Sequence, residues 1–145
     1  MSGFLKHTER VVLHQRAIGA ARKSQYQDVG LVYAAVDLLA NEYWQMRTAE
    51  VEKSTECRER FNAQLQKLGL EFSLSTTSSR AGEEGDAYFV SYPHGTDQKR
   101  MLECHLKKGS DREQRFCLRV YFFWDSDSKK VLIGWLPSHL DTRGT

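Results

Sequence analysis

Two segments in the C-terminal half alternate titratable and apolar side chains. Period-two sorting of the strand-like run Met101–Lys107 (MLECHLK) puts Met101, Glu103, His105 and Lys107 on one side. Leu102, Cys104 and Leu106 take the other. The run Phe116–Trp124 (FCLRVYFFW) sorts in the same way. Phe116, Leu118, Val120, Phe122 and Trp124 form a wholly apolar face, and Cys117, Arg119, Tyr121 and Phe123 oppose it. If the two strands pair with their apolar sides together, Glu103, His105, Lys107, Arg119 and Tyr121 gather on one open face. Lys108 edges that face, and His139 follows the last strand. Such a set suits metal-free cleavage of an RNA phosphodiester. A base takes the 2′-hydroxyl proton, an acid protonates the leaving oxygen, and cations hold the charge growing on phosphorus. His105 and His139 fit the proton roles. Lys107, Lys108 and Arg119 fit phosphate contact. Tyr121 and Phe123 offer rings for base stacking.

A plainer reading uses the same residues. The outer face of an antiparallel sheet is polar because it is wet. Glu103 and Arg119 then form a cross-strand ion pair, and each histidine is a hydrogen-bonded structural residue. Charge along the chain leaves both readings open. Residues 1–24 carry a net +4, residues 25–70 a net −2, and residues 71–145 balance, for +2 overall. Arg10, His14, Arg16 and Lys23 could track a phosphate backbone, or simply face water on a helix.

The elements that must position these groups divide the chain in two. Through residue 70 the apolar residues recur at helical spacing: Phe4, Val11, Val12, Ala17, Ile18 and Ala21, then Val29, Val32, Val36, Leu39, Tyr43 and Met46, then Cys57, Phe61, Leu65 and Leu68. Ser24 and Gln27 have the spacing of a capping box at the start of a second helix. Gly69-Leu70 has the form of a Schellman stop. The polar stretch 47–60 either continues the second helix or splits it. From residue 71 the period changes. Strands are expected at 72–75, 87–92, 101–107, 116–124 and 131–136, separated by turn-forming residues. The expected fold is one α+β domain: an N-terminal long helical hairpin (1–70) packed on a C-terminal antiparallel sheet of four to five strands (71–145).

Composition narrows the class. The chain has 145 residues, 40% hydrophobic and 28% charged, which suits one soluble globular domain. No apolar run reaches the ~20 residues of a membrane span, and the charged start is unlike a secretory signal. Three cysteines, Cys57, Cys104 and Cys117, form no C-x-x-C pair. A disulfide framework and a zinc site are therefore not expected, no cofactor is implied, and a reducing cytoplasm is the expected setting.

The run from His105 to Leu140 (HLKKG, RFCLRVYFFWD, KKVLIGWLPSHL) resembles the sheet of RelE/ParE-superfamily bacterial toxins. Arg119-Val120-Tyr121 matches their central-strand signature, and Lys130–Leu136 matches their return strand. The resemblance implies a helical hairpin followed by antiparallel strands. In the RelE branch it implies a metal-independent, ribosome-dependent mRNA endonuclease with a protein antitoxin. The chain departs from that pattern in its longer front helices, its near-neutral charge and its Pro137-Ser138-His139-Leu140 ending. Two functions are carried forward. One is a toxin or phage-defence endoribonuclease acting on RNA or the ribosome. The other is a non-catalytic interaction module that binds a partner, or a second copy, through the helical hairpin. A nucleic-acid binder without chemistry is a third option.

Overall fold

The computed structural model describes residues 9–24, 26, 28–74, 88–93, 98–109 and 117–138. Among these residues, seven strands and four α-helices follow in chain order: β1 (Val11–Leu13), α1 (Gln15–Arg22), α2 (Val29–Leu38), α3 (Trp44–Thr48), α4 (Ser54–Leu68), β2 (Glu71–Leu74), β3 (Phe89–Ser91), β4 (Lys99–Met101), β5 (Cys104–Lys108), β6 (Leu118–Asp125) and β7 (Lys130–Trp135). The architecture is α+β. Five strands form one sheet in the order β1-β7-β6-β5-β2, and β3 and β4 form a separate ribbon.

The helical front is a pair of long rods. A π-helical turn, Leu39–Tyr43, joins α2 to α3 without a break. The chain turns at Ala49 and Glu50, both extended, and a 3-10 turn at Val51–Lys53 leads into α4. So the polar stretch 47–60 splits the helix rather than carrying it through. Helix α4 stops as expected. Gly69 takes φ 70°, and the Leu70 N–H donates to the Leu65 carbonyl at 2.9 Å. The π turn sets Leu39, Ala40 and Tyr43 inward. Tyr43 then contacts the rings of Phe61, Phe72, Phe122 and Trp124 at 5.2–6.4 Å between centroids. This is where the rods meet the sheet.

Three expectations change. Val11–Leu13, expected in the first helix, is a strand, parallel to β7 with Val11 opposite Val131. A β-branched run beside an open strand edge gains more from ladder hydrogen bonds than from a helical turn, and the sheet is therefore mixed. The expected strand 101–107 is divided. Its first residue belongs to β4 and the rest to β5, with Leu102 and Glu103 between. Leu102 consequently leaves the side of Leu106 and packs in a different core. The third change concerns the face expected to lie open.

That face is largely covered. Leu118, Val120 and Phe122 pack under the helices, as the alternation predicts. On the reverse side Tyr121 and Phe123 are each only 1% exposed. They sit with Leu132, Tyr88, Val90 and Leu102 in a second core beneath the β3–β4 ribbon. Gly134 makes the fit possible. It lies where the β6–β7 register shifts, and a Cβ there would run into both Leu102 methyls.

Helix α1 and its approach fasten the layers with two arginines and a histidine. Arg10 donates to the Ala40 carbonyl inside the π turn at 3.2 Å and lies 4.2 Å over the Trp44 ring. Nδ1 of His14 accepts from the Arg16 N–H and caps α1, which assigns the ring proton to Nε2. Nε2–H then donates to the Ser91 carbonyl at 3.0 Å. Arg16 donates to the Phe89 carbonyl and lies 5.0 Å over Trp135. The β3 edge facing away from β4 is thus closed by side chains instead of another strand.

The other side of the ribbon is held by Arg100, which lies over Phe123 and donates to Asp125 Oδ1 at 3.3 Å. Ser128 donates to Asp125 Oδ2 at 2.6 Å. Burial pushes the Asp125 carboxyl up, but Ser128 and Arg100 outweigh it and hold the group below its ordinary value. The stability this lends is present above the unfolded value of about 3.9 and is lost as pH falls through the lower folded value. Asp125→Asn is expected to cost about 1–3 kcal/mol near neutrality and to flatten the acid limb of the stability curve. Urea unfolding of both proteins across an acid-to-neutral pH series checks this; equal slopes on the acid side would refute it.

Candidate functional site

Of the residues singled out for chemistry, His105, Lys107, Lys108, Arg119 and Tyr121 lie at one corner of the sheet, where β2, β5 and β6 run side by side. Register sets Glu71 opposite Lys107 and Lys107 opposite Arg119. One step along, Ser73 faces His105 and His105 faces Tyr121. Imidazole, ammonium and guanidinium therefore do share a face, on the side that carries the ribbon.

Each is engaged by the protein itself. Ser73 Oγ and His105 Nε2 share a hydrogen bond at 3.0 Å, and the His105 ring meets Tyr121 edge-on at 5.4 Å. Lys107 Nζ lies 3.5 Å from Glu71 Oε2 in a solvent-exposed ion pair of small energetic weight. Arg119 Nη1 donates to the carbonyls of Gly109 at 2.9 Å and Leu118 at 2.8 Å, with Lys108 at 3.4 Å. Lys108 reaches the Leu68 carbonyl at the end of α4. That contact suits a cation at a helix C-terminus. Glu103 is exposed in the link between β4 and β5, outside the ladder that would pair it with Arg119.

Tyr121 and Phe123 are corrected by this geometry. Both rings are enclosed in the ribbon core, packed against Tyr88 and Tyr92, and neither presents a face on which a base could stack. The alternation assigned them to the right side of the sheet. It carried no sign that β3 and β4 would cover that side. His139 lies outside the described residues. Among the described residues, no cluster of three or more His, Cys, Asp or Glu could hold a metal ion, and no helix is long and apolar enough to cross a membrane.

A second site lies on the helical side. An apolar groove of about 590 Å³ opens between α1 and α2. Ala17 and Ile18 form one wall, Val32 and Val36 the other, and Leu136 and Pro137 lie at its base. A ligand cleft of 300–1,000 Å³ has this size and this lining. Arg22 and Ser24 are its main polar neighbours. Tyr26 also lines it, with its phenol pushed above the ordinary value by burial, then by Asp28 and Cys117. Large apolar side chains flank the opening: Ile18 is 38% exposed, Tyr33 46% and Val29 56%.

The sequence held a signal for this groove. Helix α2 (VGLVYAAVDL) has one charged residue, Asp37, and is apolar all round. A helix of that kind is normally covered on every side. The stripe Val29, Val32, Val36 lines the groove, while Leu31, Ala35 and Leu38 supply the core face; the two apolar faces together are the mark of a surface needing further cover.

Behind the corner, on the opposite face of β5, lies a thiol whose chemistry can be checked. Cys104, on the helical side of β5, is pushed up to about 11, chiefly by burial and then by the Glu103 carboxylate, against a smaller lowering by Arg47. It is a neutral thiol at pH 8 and a poor nucleophile. In a Cys57→Ala/Cys117→Ala background, its reaction with Ellman's reagent should be slow at pH 8 and climb about tenfold per pH unit towards pH 11. A native rate at pH 8 equal to that of the urea-unfolded chain would contradict this assignment.

Compared with protein-family models, curated proteins and solved structures, the chain finds no match, so its function is argued from the corner and the groove themselves.

Proposed function

We propose that the chain is a non-catalytic interaction module that docks a partner protein through the α1–α2 groove. The observation that carries this reading is the apolar surface of α2, with Val29 more than half exposed beside a groove already lined by apolar side chains. Leaving such a surface wet forgoes about 25 cal/mol per Å² of apolar area, which association recovers. Contiguous exposed apolar surface of this kind marks interaction sites. A photo-crosslinking residue at Val29 should give one discrete protein adduct in the native host, and the same residue at Glu59 on the charged face of α4 should give none. Adding Ile18→Glu should abolish the Val29 adduct while leaving the fold intact by circular dichroism. No adduct from a folded Val29 variant would overturn the reading.

A second reading has its own observation. His105, Lys107 and Arg119 project from adjacent positions on neighbouring strands, the arrangement metal-free RNA cleavage needs. In this reading His105 and His139 take the two proton roles, one as base to the 2′-hydroxyl and the other as acid to the leaving oxygen, Lys107 leaves Glu71 for a phosphate oxygen, and Arg119 lies beside the same phosphate. Tyr121 and Phe123 support the site from beneath instead of stacking bases. Cleavage of RNA by the purified chain in excess chelator should fall at least about 100-fold in His105→Ala. Undiminished cleavage by that variant, or none by the unaltered chain, would end this reading.

A further inference from the structure

Charge at the lips of the groove narrows its occupant. From Gln15 through Ser24 the chain has Arg16, Arg22 and Lys23 and no acidic residue. Arg16 is spent on the Phe89 carbonyl and the Trp135 ring. Arg22 lines the groove, Lys23 is exposed beside it, and neither has an ion-pair partner among the described residues. The α2 lip is preceded by Asp28, which is outside the groove lining and whose Oδ1 accepts the Leu31 N–H and caps α2. One lip is thus cationic with uncommitted charge. The other is weakly anionic, with its carboxylate in use.

The groove walls decide the form of the occupant. An extended peptide would bring a row of N–H and C=O groups against side chains that cannot bond them. A helix satisfies its own backbone and offers only side chains. From Val29 to Val36 the wall spans two turns, about 10 Å. That length takes apolar residues at i, i+3 or i+4, and i+7. A single acyl chain with its carboxylate on Arg22 would fill the floor but leave Ile18 and Val29 wet on the lips. A helix of ordinary width covers both.

Resting on the interaction-module reading, we infer that the groove receives an amphipathic helix of a partner protein, apolar along one face and carboxylate-bearing on the flank that lies over Arg22 and Lys23. The carboxylates orient the helix across the groove, because the reverse placement sets them against Asp28.

Fluorescence anisotropy of the full chain with two synthetic helical peptides tests this. Both peptides carry leucines at i, i+3, i+4 and i+7; one has glutamates on the flanks and the other lysines. The glutamate peptide should bind at least about tenfold tighter at low salt, and added salt should narrow the gap. Arg22→Glu/Lys23→Glu should reverse the order, and Ile18→Glu should abolish binding of both. Equal binding of the two peptides, unmoved by charge reversal yet lost in Ile18→Glu, overturns the acidic partner and leaves the groove as a docking site. Binding of palmitate with neither peptide bound overturns the helix. A dimer of the chain alone in sedimentation, lost in Ile18→Glu, with no binding of either peptide, makes a second copy the occupant and likewise overturns the acidic helix. Peptide binding indifferent to Ile18→Glu defeats the groove reading as well.

Discussion

Strand β6 is apolar on one face and, between Arg119 and Asp125 near its ends, on the other as well, and much of the architecture follows from covering it twice. Leu118, Val120 and Phe122 point one way and Tyr121 and Phe123 the other, all essentially without solvent contact. Wet on one side, such a strand would leave two large rings exposed, each forgoing a few kcal/mol of burial. The chain supplies the first cover with the paired rods and the second with the β3–β4 ribbon. The ribbon is too short to stand alone. It holds its place through Leu102 packed against Gly134, Arg100 on Asp125, and the α1 side chains at its far edge. The result is a three-layer domain in which the middle sheet is structural on both sides and only its β2–β5–β6 corner stays polar.

The layers explain which parts of the fold could be read in advance. Local patterns were legible where local physics decides. Alternation along β6 identified the helical face, and Gly69-Leu70 identified the end of α4. Long-range cover was not legible. Nothing in Arg119-Val120-Tyr121 states that the β3–β4 ribbon will close over it, because that depends on a bulge at Gly134 and an interruption of the strand at Leu102 and Glu103. Val11–Leu13 shows the same limit. Its spacing fits a helix, and the free edge of β7, 120 residues later, makes it a strand. At the candidate site the register of His105, Lys107 and Arg119 followed from pairing. The commitment of each group to Ser73, Glu71 and backbone carbonyls did not, since those contacts require all three strands in place.

The basic character of the N-terminal region also reads differently in three dimensions. Arg10, His14 and Arg16 looked available for a phosphate backbone. Each instead satisfies a backbone carbonyl, at Ala40, Ser91 and Phe89. Two of them also lie over tryptophan rings, where an arginine is held electrostatically by the ring face. A charge in such a brace cannot serve a ligand without loosening the layer it fastens. Counting basic residues therefore overstates the cationic surface. What remains for recognition near α1 is Arg22 and Lys23, beyond the last brace.

That subtraction separates the two surfaces on which function can rest. The corner is on the ribbon side of the sheet, formed by β2, β5 and β6. The groove belongs to the edge of the helical core, formed by α1, α2 and the Leu136-Pro137 exit of β7. Among the described residues none lines both, and the two meet at one backbone hydrogen bond, from the Arg119 N–H to the Pro137 carbonyl. Substitutions at Ile18 or Val29 thus leave the hydrogen bonds of His105 and Arg119 untouched, and His105→Ala leaves the groove wall unchanged. A partner seated on the helices would not bury the corner by contact. Influence of one surface on the other has a direct route, since the Arg119 N–H at the corner donates to the carbonyl of groove-lining Pro137 at 2.7 Å, beside the doubly buried β6–β7 pair, where close packing transmits a shift of one layer to the next.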